Sequence, residues 1–272
     1  MCAHPLPLFL CARGNNAIMI VTAYYDLYGR PARFWEYFDL FYEVAASGLS
    51  IVLFTSPDLI RRFRFLPPTV HLVSLPLEDC ELYSMAMAYC GELPSGRTPE
   101  KDTREFFALM NTKIEFVKRA RAMYPTKTGH AWMWLDYGIM KIMKRPEDVL
   151  EKLRALESTV VPPKNMLLPG CWGMGQHAFR VDQINWRFCG GFFVIPDDFV
   201  DRFYDHSRCV LRDFCTQSQY KLTWETNVWA IIEACAEDRD RMQWYAADHD
   251  DRMILLCPSE KIEDAAHATA SS

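Results

Sequence analysis

Asp136 closes an aromatic, strand-like run, His130-Ala131-Trp132-Met133-Trp134-Leu135-Asp136, and Tyr137-Gly138 follow at once. In open α/β sheets ligands collect beyond the carboxyl ends of the strands, so a carboxylate there is placed to meet a metal ion or a ligand hydroxyl. The plainer reading of the same residue is an acid that caps a turn. Glu225 is a second acid of interest. Thr223, two residues ahead, is a good helix N-cap, which sets Glu225 in the first turn of a helix. An acid there is stabilised by the helix dipole, which also lowers its pKa; burial beside Trp224 would oppose that. Two glycine features complete the set: the loop Gly170-Cys171-Trp172-Gly173-Met174-Gly175, and the pair Gly190-Gly191 inside an apolar run. Paired glycines in a strand pattern signal a bulge or a close backbone approach.

Other chemistries lack their residues. No G-x-G-x-x-G follows the first strand, and no Walker loop, G-x-S-x-G elbow or H-E-x-x-H occurs. A nucleotide, if bound, is held some other way. The ten cysteines (Cys2, Cys11, Cys80, Cys90, Cys171, Cys189, Cys209, Cys215, Cys235, Cys257) form no C-x-x-C and no paired zinc knuckle. No Asn-x-Ser/Thr sequon occurs, and the apolar stretch Pro5–Cys11 is short and without a basic flank. These features predict mostly buried, reduced cysteines in a cytoplasmic protein.

The elements that must position these residues are legible in outline. The chain has 272 residues, half of them apolar and 24% charged, which suits a packed globular domain and excludes global disorder. A net charge of −5 argues against nucleic acid as a partner. No apolar run reaches the roughly 18 residues a membrane span needs. Residues 1–17 read as a leader and 258–272 as a frayed, flexible tail. Strands are predicted at 18–25, 50–55, 70–75, 130–136 and 242–246, and across 187–195 with an interruption at the glycine pair. Phe34, Tyr37, Phe38, Phe41 and Ala45 make one apolar helical stripe that Gly48 ends. Further helices are predicted as one long element through 106–121, then at 146–156, 198–215 and 224–236; 91–102 reads as an exposed loop. Strand, helix, strand within the first part of the chain is the βαβ unit of a mostly parallel sheet.

Several of these segments resemble, in order, the blocks of the HtrL/YibB-like family, whose members look like GT-A glycosyltransferases. The matching residues are Ile20-Val21-Thr22-Ala23-Tyr24-Tyr25-Asp26 with Gly29-Arg30, Phe34-Trp35, Phe54-Thr55, Asn111-Thr112-Lys113 and Trp134-Leu135-Asp136-Tyr137-Gly138. Cys189-Gly190-Gly191-Phe192-Phe193 and Trp224-Glu225-Thr226-Asn227-Val228-Trp229 fit its later blocks. The resemblance spans about residues 18–252. It implies an α/β, GT-A-like Rossmann-type nucleotide-binding sheet flanked by helices, with a smaller acceptor-side subregion. The domain would cover 18–257, with a nucleotide-sugar half at 18–138 and an acceptor half at 139–257.

The implied activity is transfer of a hexosyl or pentosyl group from a nucleotide-sugar donor to a glycan acceptor hydroxyl. By the same resemblance Thr22, Tyr24 and Asp26 surround the base and ribose. Arg30 and Lys113 meet the diphosphate, and Gly190, Gly191 and Trp224 meet the acceptor. Glu225 would be the general base of an inverting displacement. GT-A enzymes hold Mn²⁺ or Mg²⁺ on a D-x-D; here Trp134-Leu135-Asp136 keeps only the last Asp. Asp136 is therefore the expected metal ligand, with His249 of Asp248-His249-Asp250-Asp251 as a second, or else a surface residue in an acidic turn. Two other readings stay open: a non-catalytic nucleotide- or sugar-binding module on the same fold, and a nucleotide-sugar hydrolase.

Overall fold

A computed structural model describes residues 18–125, 130–159 and 162–258. Seven strands form one sheet in the order β3-β2-β1-β4-β6-β5-β7. They are β1 (Ile18–Tyr24), β2 (Ile51–Thr55), β3 (Val70–Ser74), β4 (Ala131–Leu135), β5 (Met166–Gly170), β6 (Phe192–Pro196) and β7 (Met242–Ala246). Only β6 runs against the rest; it pairs antiparallel with β4 and β5, while β1, β2, β3 and β4 and the β5–β7 pair are parallel. The fold is thus mixed α/β with a mostly parallel sheet, as the sequence predicts, and the sheet takes strands from both halves of the chain.

Because side chains alternate along a strand, near-continuous apolar strands bury both faces. Val21, Val52, Phe54, Trp132, Trp134, Phe193 and Ile195 point to one core; Ile20, Ile51, Leu53, Met133, Leu135, Phe192 and Val194 point to the other. The first core is covered by α2 (Glu81–Met87), α3 (Arg104–Asn111), α4 (Lys113–Met123), α6 (Val200–Thr216) and α7 (Glu225–Ala234). The second is covered by α1 (Pro31–Ala46), α5 (Pro146–Glu157) and α9 (Arg252–Leu255), with α8 (Ala236–Arg239) leading into β7. No helix among the described residues is long and apolar enough to cross a membrane.

Four expectations change. The long helix through 106–121 is two helices, broken at Thr112. Thr112 Oγ1 donates to the Ala108 carbonyl, and Asn111 Nδ2 donates to the carbonyls of Phe107 and Thr223. Such side chains compete with the helical ladder, and the break makes Lys113 the first residue of α4. The strand expected over 187–195 begins only at Phe192, so Gly190-Gly191 precede it. Thr223 does not cap α7; the cap position is Trp224, without a side-chain bond, and Glu225 is the first helical residue. Of the eight described cysteines, Cys90, Cys171, Cys209 and Cys235 are exposed, so the thiols are not mostly buried; all eight are free. The leader and nearly all of the tail, with Cys2 and Cys11, lie outside the described residues.

Candidate functional site

The chain leaves β1 toward β2 and β3 on one side of the sheet and returns to place β4 on the other side. The β1–β4 junction is therefore a topological switch point, where the loops leaving two parallel strands diverge and open a crevice. A cavity of about 590 Å³ lies there, within the range of ligand pockets. Its walls are the end of β1 and its loop (Ala23 to Tyr28), Trp134 and the loop after β4 (Asp136 to Ile139), Gly190-Gly191 ahead of β6, Trp224 ahead of α7, and His249 beyond β7.

Asp136 stands at the floor, with its side chain 35% exposed. Residues 132, 134 and 136 share one strand face, so the carboxylate falls beside the Trp134 indole; Nε1 donates to Oδ1 at 2.7 Å. The same Oδ1 meets Lys113 Nζ at 2.9 Å. Neither partner touches Oδ2.

Lys113 is buried and does not line the cavity. Its ammonium is enclosed by three acceptors: Asp136 Oδ1, Glu225 Oε1 at 2.7 Å and the Gly190 carbonyl at 2.8 Å. An ammonium has three hydrogens, so none is left for a phosphate. Burial alone would lower the Lys113 pKa; the Asp136 and Glu225 carboxylates outweigh it and hold the amine above its usual value. Lys113 is a buried cation that holds Asp136.

Glu225 is likewise buried and off the cavity wall. Its Oε1 pairs with Lys113 Nζ at 2.7 Å. Burial pushes its pKa up, and Lys113 draws it only partly back. Gly190 seals it: a Cβ at that position would sit 2.1 Å from Glu225 Oε1. Gly190, and not Glu225, is on the cavity wall.

The other predicted residues divide cleanly. Tyr24, Asp26, Gly190, Gly191, Trp224 and His249 line the cavity with Asp136. Tyr24 packs on Tyr137 with ring centroids 4.7 Å apart, and burial with the nearby Asp26 pushes its hydroxyl pKa up to about 12, so it stays protonated. Asp26 Oδ1 accepts from the Arg30 backbone N–H. Thr22 is buried in β1 and off the wall, its hydroxyl without a partner among the described residues. Arg30 is exposed outside the cavity, over the Tyr28 ring.

Sequence reasoning missed the cations that do line the site. Arg33 and Lys101 have no carboxylate within ion-pair distance among the described residues; Lys141, also on the wall, pairs with Glu36 at 2.7 Å. Lys101 Nζ lies 4.4 Å from the Trp224 ring, and Trp224 is flanked edge-on by Phe106 and Trp186. Lys101 comes from the loop read as merely exposed, anchored where Tyr28 Oη donates to its carbonyl. No local pattern marks such a contact across 73 residues.

For a hard divalent ion the donor set is narrow. Mg²⁺ and Mn²⁺ take oxygen ligands, often one or two carboxylates with phosphates and water completing the shell. Asp136 Oδ2 fits as one such oxygen. His249 belongs to a different group: its ring nitrogen, Cys171 Sγ and Cys189 Sγ lie within 4.8 Å of one another, and Asp136 is not among them.

No family model matches the chain, and no curated protein does. Among solved structures the chain is similar to a glycosyltransferase involved in the glycosylation of the major capsid of PBCV-1. The TM-score is 0.45 at 11% identity, over 85% of this chain and 81% of that one. Likeness at this level says nothing of this chain's chemistry, and the HtrL/YibB-like motifs stay a resemblance.

Proposed function

We propose that the chain is a glycosyltransferase that moves a sugar from a nucleotide-sugar donor to a glycan acceptor hydroxyl. The observation that carries this reading is the switch-point cavity, whose wall carries Asp136, aromatic side chains, and Lys101 and Arg33, which have no ion-pair partner among the described residues. The motif resemblance supports it.

Breaking a sugar–phosphate bond leaves a nucleoside diphosphate with growing negative charge, and fixed positive charge at that place lowers the barrier. Lys101 and Arg33 are the cations free to supply it. Tyr24 and Trp224 offer faces for the base and the sugar. Gly190 and Gly191 let backbone come close to the acceptor. Mn²⁺ or Mg²⁺, held by Asp136 with phosphate and water, would add charge neutralisation. Glu225 acts on this reading as a positioning residue: it holds Lys113, and Lys113 holds Asp136.

The test is calorimetric titration of nucleoside diphosphates with and without Mn²⁺, on the full chain and on Asp136→Asn. Metal-dependent binding that Asp136→Asn abolishes, followed by sugar transfer to an acceptor, supports the transferase. Nucleotide binding without turnover on any acceptor favours a binding module, and donor cleavage to water alone a hydrolase. No binding of any nucleotide refutes the reading.

A further inference from the structure

Cys171 follows β5, Cys189 lies three residues ahead of the start of β6 at Phe192, and His249 follows β7. Three separate chain segments thus deliver two thiols and an imidazole to one point. Cys171 Sγ is 3.6 Å from Cys189 Sγ and 3.7 Å from His249 Nδ1. Asp248 Oδ1 is 3.6 Å from Cys171 Sγ and 3.5 Å from His249 Nδ1.

These separations have a simple meaning. Zinc sits about 2.3 Å from sulfur and about 2.0–2.1 Å from nitrogen or oxygen, so the edges of its tetrahedron are near ~3.8 Å for S···S, ~3.6 Å for S···N or S···O and ~3.4 Å for N···O. The Cys171–Cys189 and Cys171–His249 edges match within about 0.2 Å, and the three donor atoms lie within 4.8 Å of one another. We propose that Cys171, Cys189 and His249 form a three-ligand zinc site whose fourth position is left to water.

The surroundings agree. Cys189 is fully buried and backs the site, while Cys171 and His249 are exposed and leave a path for the ion. Thiolate and imidazole are soft-to-borderline donors that suit Zn²⁺ and are poor for Mg²⁺ or Mn²⁺. The ion would pin the ends of β5 and β7 to the chain entering β6. It would thereby fix His249 and, through the edge contact of their rings at 5.0 Å, Trp186 on the cavity wall. This site does not depend on the transfer reaction.

The test is titration of the chelator-stripped, reduced full chain with Zn²⁺ against a chromophoric chelator, and with Co²⁺ as a spectroscopic probe. One equivalent of Zn²⁺ should bind, and Co²⁺ should give a thiolate charge-transfer band and the intense visible bands of a tetrahedral ion. Cys171→Ser and His249→Ala should each weaken Zn²⁺ binding by at least about 10–100-fold, the range lost even when outer partners of a ligand are removed. Cys209→Ser, on the exposed side of α6, should leave it unchanged. Circular dichroism confirms that each variant is folded. A folded wild-type chain that binds no zinc, a pale octahedral cobalt spectrum, Zn²⁺ affinity indifferent to Cys171→Ser, or a Cys171–Cys189 disulfide in the reduced preparation each overturns the site.

Discussion

Replacing Lys113 with Met isolates the energetic role of the buried charge cluster. The substitution keeps the aliphatic bulk and removes the ammonium, so the Asp136 and Glu225 carboxylates and the Gly190 carbonyl lose a shared partner. Asp136 is partly exposed and recovers water; Glu225 is not and cannot. Breaking a buried pair in this way costs about 3–5 kcal/mol. An independent bound comes from protonation. Neutralising a carboxylate of ordinary pKa 4.5 at pH 7 costs about 3.4 kcal/mol at 1.36 kcal/mol per pH unit, so Glu225 takes a proton rather than suffer more. The expected loss at pH 7 is thus about 3–4 kcal/mol, a fall in Tm of roughly 6–16 °C for a chain of this size. The sign of the pH dependence follows. The Glu225 pKa in the folded variant is raised further, so the deficit is largest above that value and shrinks as the pH falls toward 4.5. At pH 5 the protonation component is only about 0.7 kcal/mol. Urea unfolding followed by tryptophan fluorescence at both pH values checks this, with Lys113→Met/Glu225→Gln as partner. The double variant should recover most of the loss. A deficit under about 1 kcal/mol, or strictly additive single changes, refutes the cluster as described.

Two further perturbations test neighbouring contacts. Gly190→Ala brings a methyl group to 2.1 Å from Glu225 Oε1 and should destabilise by about 1–3 kcal/mol, because the carboxylate is boxed in by Lys113; a thermal melt indistinguishable from wild type would show that Glu225 can swing away. Lys101→Ala should weaken nucleoside diphosphate binding by about 1 kcal/mol, or fivefold, in low-salt calorimetry, and by less at ~1 M salt where the Debye length falls to ~3 Å; an effect that persists unscreened would point to packing on Trp224 instead.

The parts of the fold legible in the sequence are those whose signal is local. β1, β2, β3 and β4 are short runs of apolar, mostly β-branched or aromatic residues, and α1 and α5 carry apolar stripes that reach one core. β5 was hidden by its own composition, since Pro169 and Gly170 read as breakers; yet all five residues are buried and pair with β7. α2 was hidden for a different reason. Its first N–H groups, Glu81 and Leu82, donate to the two carboxylate oxygens of Glu115 on α4, a cap supplied from more than thirty residues away. In the site, the strand-end rule placed Asp136, and the glycine pattern placed Gly190-Gly191, on what is the cavity wall. The ion pair of Lys113 and Glu225 was not legible, because two charges 112 positions apart reveal their pairing only once the sheet and α4 bring them together. The thiol–imidazole group was invisible for the same reason: residues 171, 189 and 249 have no motif spacing, and the common register of strand ends unites them.

Two donor sets of opposite hardness therefore share one edge of the sheet, and this has a consequence for any metal experiment. Zn²⁺ lies above Mn²⁺ in the affinity order for nearly any ligand set, so trace zinc would also compete for the single oxygen that Asp136 offers. With Cys171, Cys189 and His249 intact, that zinc is drawn first to sulfur and nitrogen, and the cavity floor is left to harder ions. Cys171→Ser removes this protection. Mn²⁺-dependent nucleotide binding should then become sensitive to less than one equivalent of added zinc, which the wild-type chain, its thiolate site still unfilled, should tolerate. The comparison is a titration of zinc into the nucleotide–Mn²⁺ complex of each protein. Equal sensitivity of the two would mean that the sites do not partition metals by hardness, whereas inhibition confined to the Cys171→Ser protein ties the thiolate cluster to the chemistry of the carboxylate beside it.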